Sequence, residues 1–118
     1  MPFGGKDWLA LTQETIREPD LPICDPHHHF YFRRLDRIPY HNYQIDDLYG
    51  DLNGGHNIVS TVFVEARAMY RPDGPEEMRP VGEVEFVQGM GAVGATDLYG
   101  TARAAAAIVG HANLNLGE

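Results

Sequence analysis

The chain has 118 residues and a mass of 13.2 kDa, and 43% of its residues are hydrophobic and 22% charged. This composition is ordinary for one small globular domain and excludes collagen, a coiled coil and a wholly disordered segment. The formal net charge is −8 and no basic stripe is present, which argues against binding to a nucleic-acid backbone. No apolar run approaches the roughly 18 residues that a membrane span needs.

Cysteine usage and the N-terminus indicate the compartment. Cys24 is the single cysteine, so the chain forms no internal disulfide, which suits a reducing intracellular environment. The first residues, MPFGGKDWLALTQ, lack the basic start and long apolar core of a secretory signal peptide. We therefore expect a cytoplasmic protein without a membrane partner.

The first half of the chain predicts a lead-in segment, a strand and a helix. Residues 1–21 form the lead-in, in which a short helix over 7–16 ends before two prolines. The brief apolar run 21–25 predicts a short buried strand that leads into a cluster of histidines. Residues 43–49 suit a helix of about two turns, which a glycine or the Asn-Gly-Gly that follows would end.

The second half predicts a strand, a helix and another strand. Residues 57–65, NIVSTVFVE, form a near-continuous apolar run typical of a parallel strand buried on both faces. A loop is expected over 67–79 and a helix over 81–103, which Ala104–Ala107 extend or lead out of. Residues 108–116 then predict a third strand and its exit loop. This alternation predicts an α/β fold with βαβ units around a parallel sheet.

The predicted sheet has two open edges. The chain reaches Gly117 and Glu118 just past the third strand, without a further helix. Natural sheets usually avoid open edges. We therefore expect a fragment of a larger protein, and the alternative is a small domain that covers its edges by forming a homo-oligomer.

A histidine triple, Asp25-Pro26-His27-His28-His29, stands where the first strand is expected to end. Since side chains alternate along a strand, His27 and His29 point to one side with Asp25, and His28 points to the other. Two neutral imidazoles about 6–7 Å apart along a strand can converge on one divalent cation. A bound metal lowers the pKa of its water toward about 7 and so makes a hydroxide nucleophile.

The same triple has structural interpretations. Histidine triples also occur in loops, as caps and as hydrogen-bonding core residues. A catalytic zinc normally takes three protein ligands and keeps one open position, so two histidines are an incomplete site. The missing ligands would have to come from elsewhere in the fold.

The segment 19–30, PDLPICDPHHHF, resembles the first-strand signature of the amidohydrolase superfamily. It is most similar to the amidohydrolase-2 branch, which includes dicarboxylate and sugar lactonases and non-oxidative decarboxylases. In that branch the first strand ends in an HxH pair, which His27 and His29 match position by position. Three further segments resemble, in order, the branch's second strand, the loop after it and its third strand: 57–66, 70–83 and 107–114.

The resemblance implies a (β/α)8 TIM barrel of about 250 residues or more. Residues 1–118 would be the N-terminal part of that single domain and supply about its first three βα units. It also implies a divalent metal ion, with Zn²⁺ as first choice, held by His27 and His29. The remaining ligands and the base that activates water would lie beyond Glu118, so the catalytic residues are unknown, and some lactonases of this branch work without metal.

Three side chains are candidates for substrate binding. Glu65 ends the second strand, where it would contact substrate or a strand-1 histidine, or be an exposed charge. Arg67, with Tyr70 and Arg71, could bind a substrate carboxylate because arginine pairs with it bidentately, although such loop residues are often simply solvated. His111, at the end of the third strand, is either a substrate contact or a buried core histidine.

Three residues in or beside the triple are expected to have structural roles. His28 is expected to pack against a neighbouring helix, and Asp25 to orient a histidine or cap a backbone group. Cys24 is expected to be a small buried hydrophobe, because no motif places a histidine base beside it.

Together these features predict a metal-dependent hydrolase of the amidohydrolase-2 type. Metal-activated water would attack the lactone, ester or amide carbonyl of a small carboxylate substrate. Non-oxidative decarboxylation is the second reaction to consider. A hypothesis of another class is a truncated, non-catalytic barrel that binds metal or a partner without turnover.

Overall fold

The computed structural model describes residues 6–32 and 42–117. Residues 1–5 of the expected lead-in, residues 33–41 and Glu118 lie outside the described residues. The helices are α1, α2 and α3 and the strands are β1, β2 and β3, in the order α1 Lys6–Leu9, β1 Pro22–His28, α2 Ile45–Leu52, β2 Asn57–Val64, α3 Val81–Gly94 and β3 Arg103–Val109. Short 3₁₀ helices cover Ala10–Thr12, Glu76–Met78 and Leu114–Leu116.

The three strands form one parallel sheet in the order β1-β2-β3. The expected α/β class with a parallel sheet is therefore confirmed. Since all strands run the same way, their carboxyl ends meet at one edge of the sheet. Val64 at the end of β2 pairs with Val109 of β3, and His28 at the end of β1 pairs with Phe63.

Strand β1 continues further than the expected 21–25, because a β-bulge carries it through the histidines. Asp25 pairs with Thr61 and His28 with Phe63, so β1 advances by three residues where β2 advances by two. Pro26 has no N–H for the ladder, and the N–H of His27 donates to the Asp25 carboxylate at 3.1 Å. The bulge lies on an outer strand, where proline is tolerated.

Helix α3 is shorter than the expected 81–103, and the four alanines do not extend it. The helix ends at Gly94, Asp97 has a positive φ of 62°, and Ala104–Ala107 lie in β3. Alanine favours helices in isolation, but packing overrides this weak preference. The small side chains allow close approach, since a Cβ on Gly91 would lie 3.3 Å from the Ala104 carbonyl oxygen. Strand β3 accordingly spans Arg103–Val109, whereas the third strand and its exit loop were expected over 108–116.

The remaining expectations differ at the boundaries. Helix α2 begins after Gln44, whose N–H donates to the Asp47 side chain at 2.9 Å in a capping box. It runs past Gly50 and ends at Leu52, just before the Asn-Gly-Gly that was the other expected end. The lead-in helix is limited to Lys6–Leu9 and one 3₁₀ turn, and β2 matches its expected range to within one residue.

The core lies where α2 and α3 pack on the sheet. Tyr49 of α2 is buried and donates its hydroxyl hydrogen to the Ala102 carbonyl at 2.5 Å. The rings of Phe30 and Phe63 stack with centroids 5.7 Å apart. The buried hydrophobic residues of the described part are Phe30, Ile45, Leu48, Tyr49, Leu52, Phe63, Val87, Ala102 and Ala104. Within residues 6–32 and 42–117, no helix has the length and apolar character needed to cross a bilayer.

Two glycines of α3 provide a matched test of this packing. A Cβ on Gly94 would lie 2.6 Å from the Tyr49 hydroxyl, whereas a Cβ on Gly89 would meet no atom within 4 Å. We expect Gly94→Ala to lower the free energy of unfolding by about 1–3 kcal/mol through overpacking. Gly89→Ala should raise it by up to about 1 kcal/mol, because alanine is the better helix former. Urea unfolding followed by circular dichroism measures both, and equal changes would contradict the packing of Tyr49 against Gly94.

Candidate functional site

The HxH pair brings two ring nitrogens together at the carboxyl edge of the sheet. His27 Nε2 and His29 Nε2 lie 3.2 Å apart, and the two rings meet edge to face with centroids 4.9 Å apart. His28, between them, is buried on the opposite side. The alternation of the strand and the bulge at Pro26 together produce this arrangement.

The ring of His29 is oriented by the neighbouring strand. Its Nδ1–H donates to the carbonyl oxygen of Val64, the last residue of β2, at 2.7 Å. This bond puts the proton of the neutral ring on Nδ1 and leaves a lone pair on Nε2, facing His27. Metal-binding histidines almost always donate the other ring N–H in this way.

The separation of the two nitrogens fits a shared metal ion. Two imidazoles bound tetrahedrally to one Zn²⁺ at about 2.0–2.1 Å have nitrogens about 3.3–3.4 Å apart. The 3.2 Å between His27 and His29 is close to this value. In residues 6–32 and 42–117 no group of three or more His, Cys, Asp or Glu side chains is arranged to hold a metal ion, so the described ligand set consists of two imidazoles. Asp25 is engaged by the His27 N–H.

His28 is buried, and it makes its hydrogen bond to a residue of β2. It is 8% exposed, and its Nε2 lies 2.8 Å from the Thr61 hydroxyl, which also accepts the Ala105 N–H at 2.8 Å. The rings of Phe30 and Phe63 meet it edge-on. Burial lowers the pKa of His28 below its usual 6.5, with the adjacent histidines adding to this effect and the His29 backbone and Asp25 opposing it.

The loop after β2 carries two of the candidate substrate-binding residues. Glu65 directly follows Val64 and donates its N–H to the Val109 carbonyl at 2.9 Å. Arg67 is exposed, whereas Arg71 is paired with the Glu85 carboxylate. Burial raises the pKa of Tyr70. The nearby carboxylates of Glu65 and Glu83 also raise this pKa, and the positive charge of Arg67 lowers it. The charges of Glu65 and Arg67 therefore both act on Tyr70.

The third candidate, His111, lies away from the histidine pair. It is exposed in the segment after β3, and β2 separates β3 from β1, so it lies about two strand spacings, or about 10 Å, away. His111 lines a cleft of about 470 Å³ between the segments that follow β2 and β3. The lining residues are Tyr70, Glu76, Glu77, Arg79, Pro80, His111, Asn113 and Leu116. Glu65 and Arg67 are not among them.

Sequence reasoning missed Glu83. Its carboxylate is 2% exposed, and Oε2 accepts the N–H groups of Ala66 and Ala68 at 3.0 and 2.7 Å. In the sequence it is one of two glutamates in the expected helix, and only its burial distinguishes it. The expectation that Cys24 is buried was wrong, because it is exposed on the outer strand β1.

Comparison of the chain with protein-family models, with curated proteins and with solved structures finds no match. The resemblance to the amidohydrolase-2 branch therefore stays a prediction from the sequence.

The lowered pKa of His28 predicts a pH-dependent stability. Because the unfolded chain binds a proton at about 6.5 and the folded chain only at lower pH, unfolding is favoured as the pH falls below about 6.5. Between about pH 7.5 and 5, with EDTA present, the parent should lose more free energy of unfolding than a His28→Gln variant. Urea titrations at both pH values measure the difference, and identical losses would contradict a lowered pKa.

Proposed function

We propose that the chain is part of a metal-dependent hydrolase of the amidohydrolase-2 type, built on a TIM barrel. The parallel order β1-β2-β3 supports the barrel, since consecutive strands are neighbours there. The observation that carries the proposal is the convergence of His27 Nε2 and His29 Nε2 at 3.2 Å, at the carboxyl edge of the sheet. Catalytic groups of parallel α/β folds gather at this edge.

His27 and His29 would hold a divalent metal ion, with Zn²⁺ as first choice. When bound, such an ion supplies Lewis acidity and lowers the pKa of a coordinated water. The protein's own contribution is orientation: the Val64 carbonyl keeps the His29 proton on Nδ1, so that Nε2 carries a lone pair, which faces His27 Nε2 within hydrogen-bond distance. Asp25, held by the His27 N–H, fixes the backbone of the bulge.

The substrate in this proposal is a small molecule with a carboxylate and a lactone, ester or amide carbonyl. Arg67 has no hydrogen-bond or ion-pair partner within the described residues, so its guanidinium is available for a carboxylate. Glu65 supplies a hydrogen-bond acceptor one residue beyond the strand end. The free thiol of Cys24 suits a reducing cytoplasm.

Metal binding tests the proposal. We expect the purified chain to take up about one Zn²⁺ or Co²⁺ through the imidazole pair, and His27→Ala or His29→Ala to weaken this binding by at least about tenfold. Elemental analysis after dialysis gives the stoichiometry, and titration with Co²⁺ followed by visible absorption gives the affinity.

His56→Ala is the matched control, because His56 is an exposed histidine just before β2. It should leave the Co²⁺ affinity and spectrum unchanged. A parent chain that stays metal-free after incubation with zinc, or that binds equally well without His27 and His29, would refute the metal site.

A further inference from the structure

Glu83 is a buried carboxylate with backbone partners. It lies in the first turn of α3, and its Oε2 accepts two N–H groups of the loop after β2, from Ala66 at 3.0 Å and from Ala68 at 2.7 Å. Alternating N–H groups of this kind form a concave anion site, or nest. In this chain the protein's own carboxylate fills the nest.

The loop that Glu83 holds is strained. Arg67, between the two bonded residues, has φ 60°, and Met69 has φ 57°, a region that side chains other than glycine rarely adopt. The loop also lies tightly on α3, because a Cβ on Gly82 would be 2.5 Å from the Met69 carbonyl oxygen and 2.8 Å from the Arg71 nitrogen. Such strain persists only where surrounding contacts determine the backbone, and it is concentrated at functional sites.

The two arginines of this loop differ in what they contact. Arg71 is paired with Glu85, which neutralises its charge on the side of α3. Arg67, exposed at the position with the positive φ, lies three residues after Val64, whose carbonyl orients His29. The loop that Glu83 holds therefore presents one guanidinium that has no hydrogen-bond or ion-pair partner among the described residues.

We propose that Glu83 is a positioning residue: its carboxylate, bonded to Ala66 and Ala68, holds Arg67 in the left-handed conformation that presents its guanidinium to a substrate carboxylate. The inference rests on the proposed function only for the identity of that ligand. It requires no metal. Glu83 itself touches no substrate and acts through the backbone on either side of Arg67.

A double-mutant cycle tests this positioning, with succinate as the carboxylate probe and NMR shift titration of the full chain as the readout. Arg67→Ala should weaken succinate binding about tenfold or more, because charged hydrogen bonds are lost. Glu83→Ala should weaken it by a similar factor. In the Arg67→Ala background, Glu83→Ala should change the affinity less than about twofold, since coupled residues are not additive.

Two further variants separate positioning from simple destabilisation. Gln88→Ala removes an exposed polar side chain of the same helix and should leave succinate binding unchanged. Glu83→Gln keeps an oxygen acceptor for both N–H groups and should restore most of the affinity. The Glu83→Gln variant also provides the test if Glu83→Ala fails to fold. The amide-proton shifts of Ala66 and Ala68 report in each variant whether the two hydrogen bonds persist.

The outcomes separate this inference from the metal site. Unchanged succinate affinity in folded Glu83→Ala, fully additive losses in the cycle, or no succinate binding by the parent would each overturn the role of Glu83. If Glu83→Ala does not fold, unchanged affinity in Glu83→Gln together with loss of the Ala66 and Ala68 bonds would overturn it. Failure of Co²⁺ to bind at His27 and His29 would refute the hydrolase proposal and leave the succinate result intact.

Discussion

The pairing of β1 with β2 at the carboxyl edge is the interaction on which the site depends. The bulge at Pro26 takes one residue out of the ladder and turns the following histidines, and the Val64 carbonyl then accepts the Nδ1–H of His29. Without this register, nothing would fix the orientation of the His29 ring or which of its two nitrogens carries the proton. A neutral imidazole bonded in this way has a lone pair ready for a cation, at little further cost in side-chain entropy. The same hydrogen bond thus links strand pairing to the chemistry at the edge.

A second constraint acts one step further along the chain. Where β2 ends, the backbone leaves the sheet through a loop with two left-handed residues, Arg67 and Met69. A buried carboxylate is costly unless hydrogen bonds satisfy it, and the two N–H groups that satisfy Glu83 are those of this strained loop. The two hydrogen bonds therefore offset both the desolvation of Glu83 and the strain of the loop. The close contact of Gly82 with the same loop leaves it little freedom to relax on the helix side.

The local patterns of the sequence were sufficient to predict much of the fold. The β-branched run of β2 and the alternation of strands and helices predicted the parallel sheet, and period-two alternation predicted that His27 and His29 share a side. The alanines of β3 were misassigned because their helix preference is intrinsic, whereas their strand conformation depends on contact with α3. The Val64 carbonyl and Glu83 could not be predicted, since both act through long-range register. The sequence likewise could not distinguish Arg67 from Arg71, because only the fold brings Glu85 to Arg71.

The chemical nature of the ligands determines which cations the proposed site can select. With a net charge of −8, the chain attracts any cation weakly, and the carboxylates of Asp46, Asp47 and Asp51 on α2 offer oxygen atoms far from the histidines in sequence. Oxygen ligands suit Ca²⁺ and Mg²⁺, whereas two imidazoles suit Zn²⁺ and Co²⁺. Two neutral nitrogens add no negative charge, so the affinity of such a pair comes from the coordinate bonds and from the orientation that Val64 imposes. Selectivity for Zn²⁺ and Co²⁺ over Mg²⁺ is therefore the property that separates a histidine site from the general acidity of the chain.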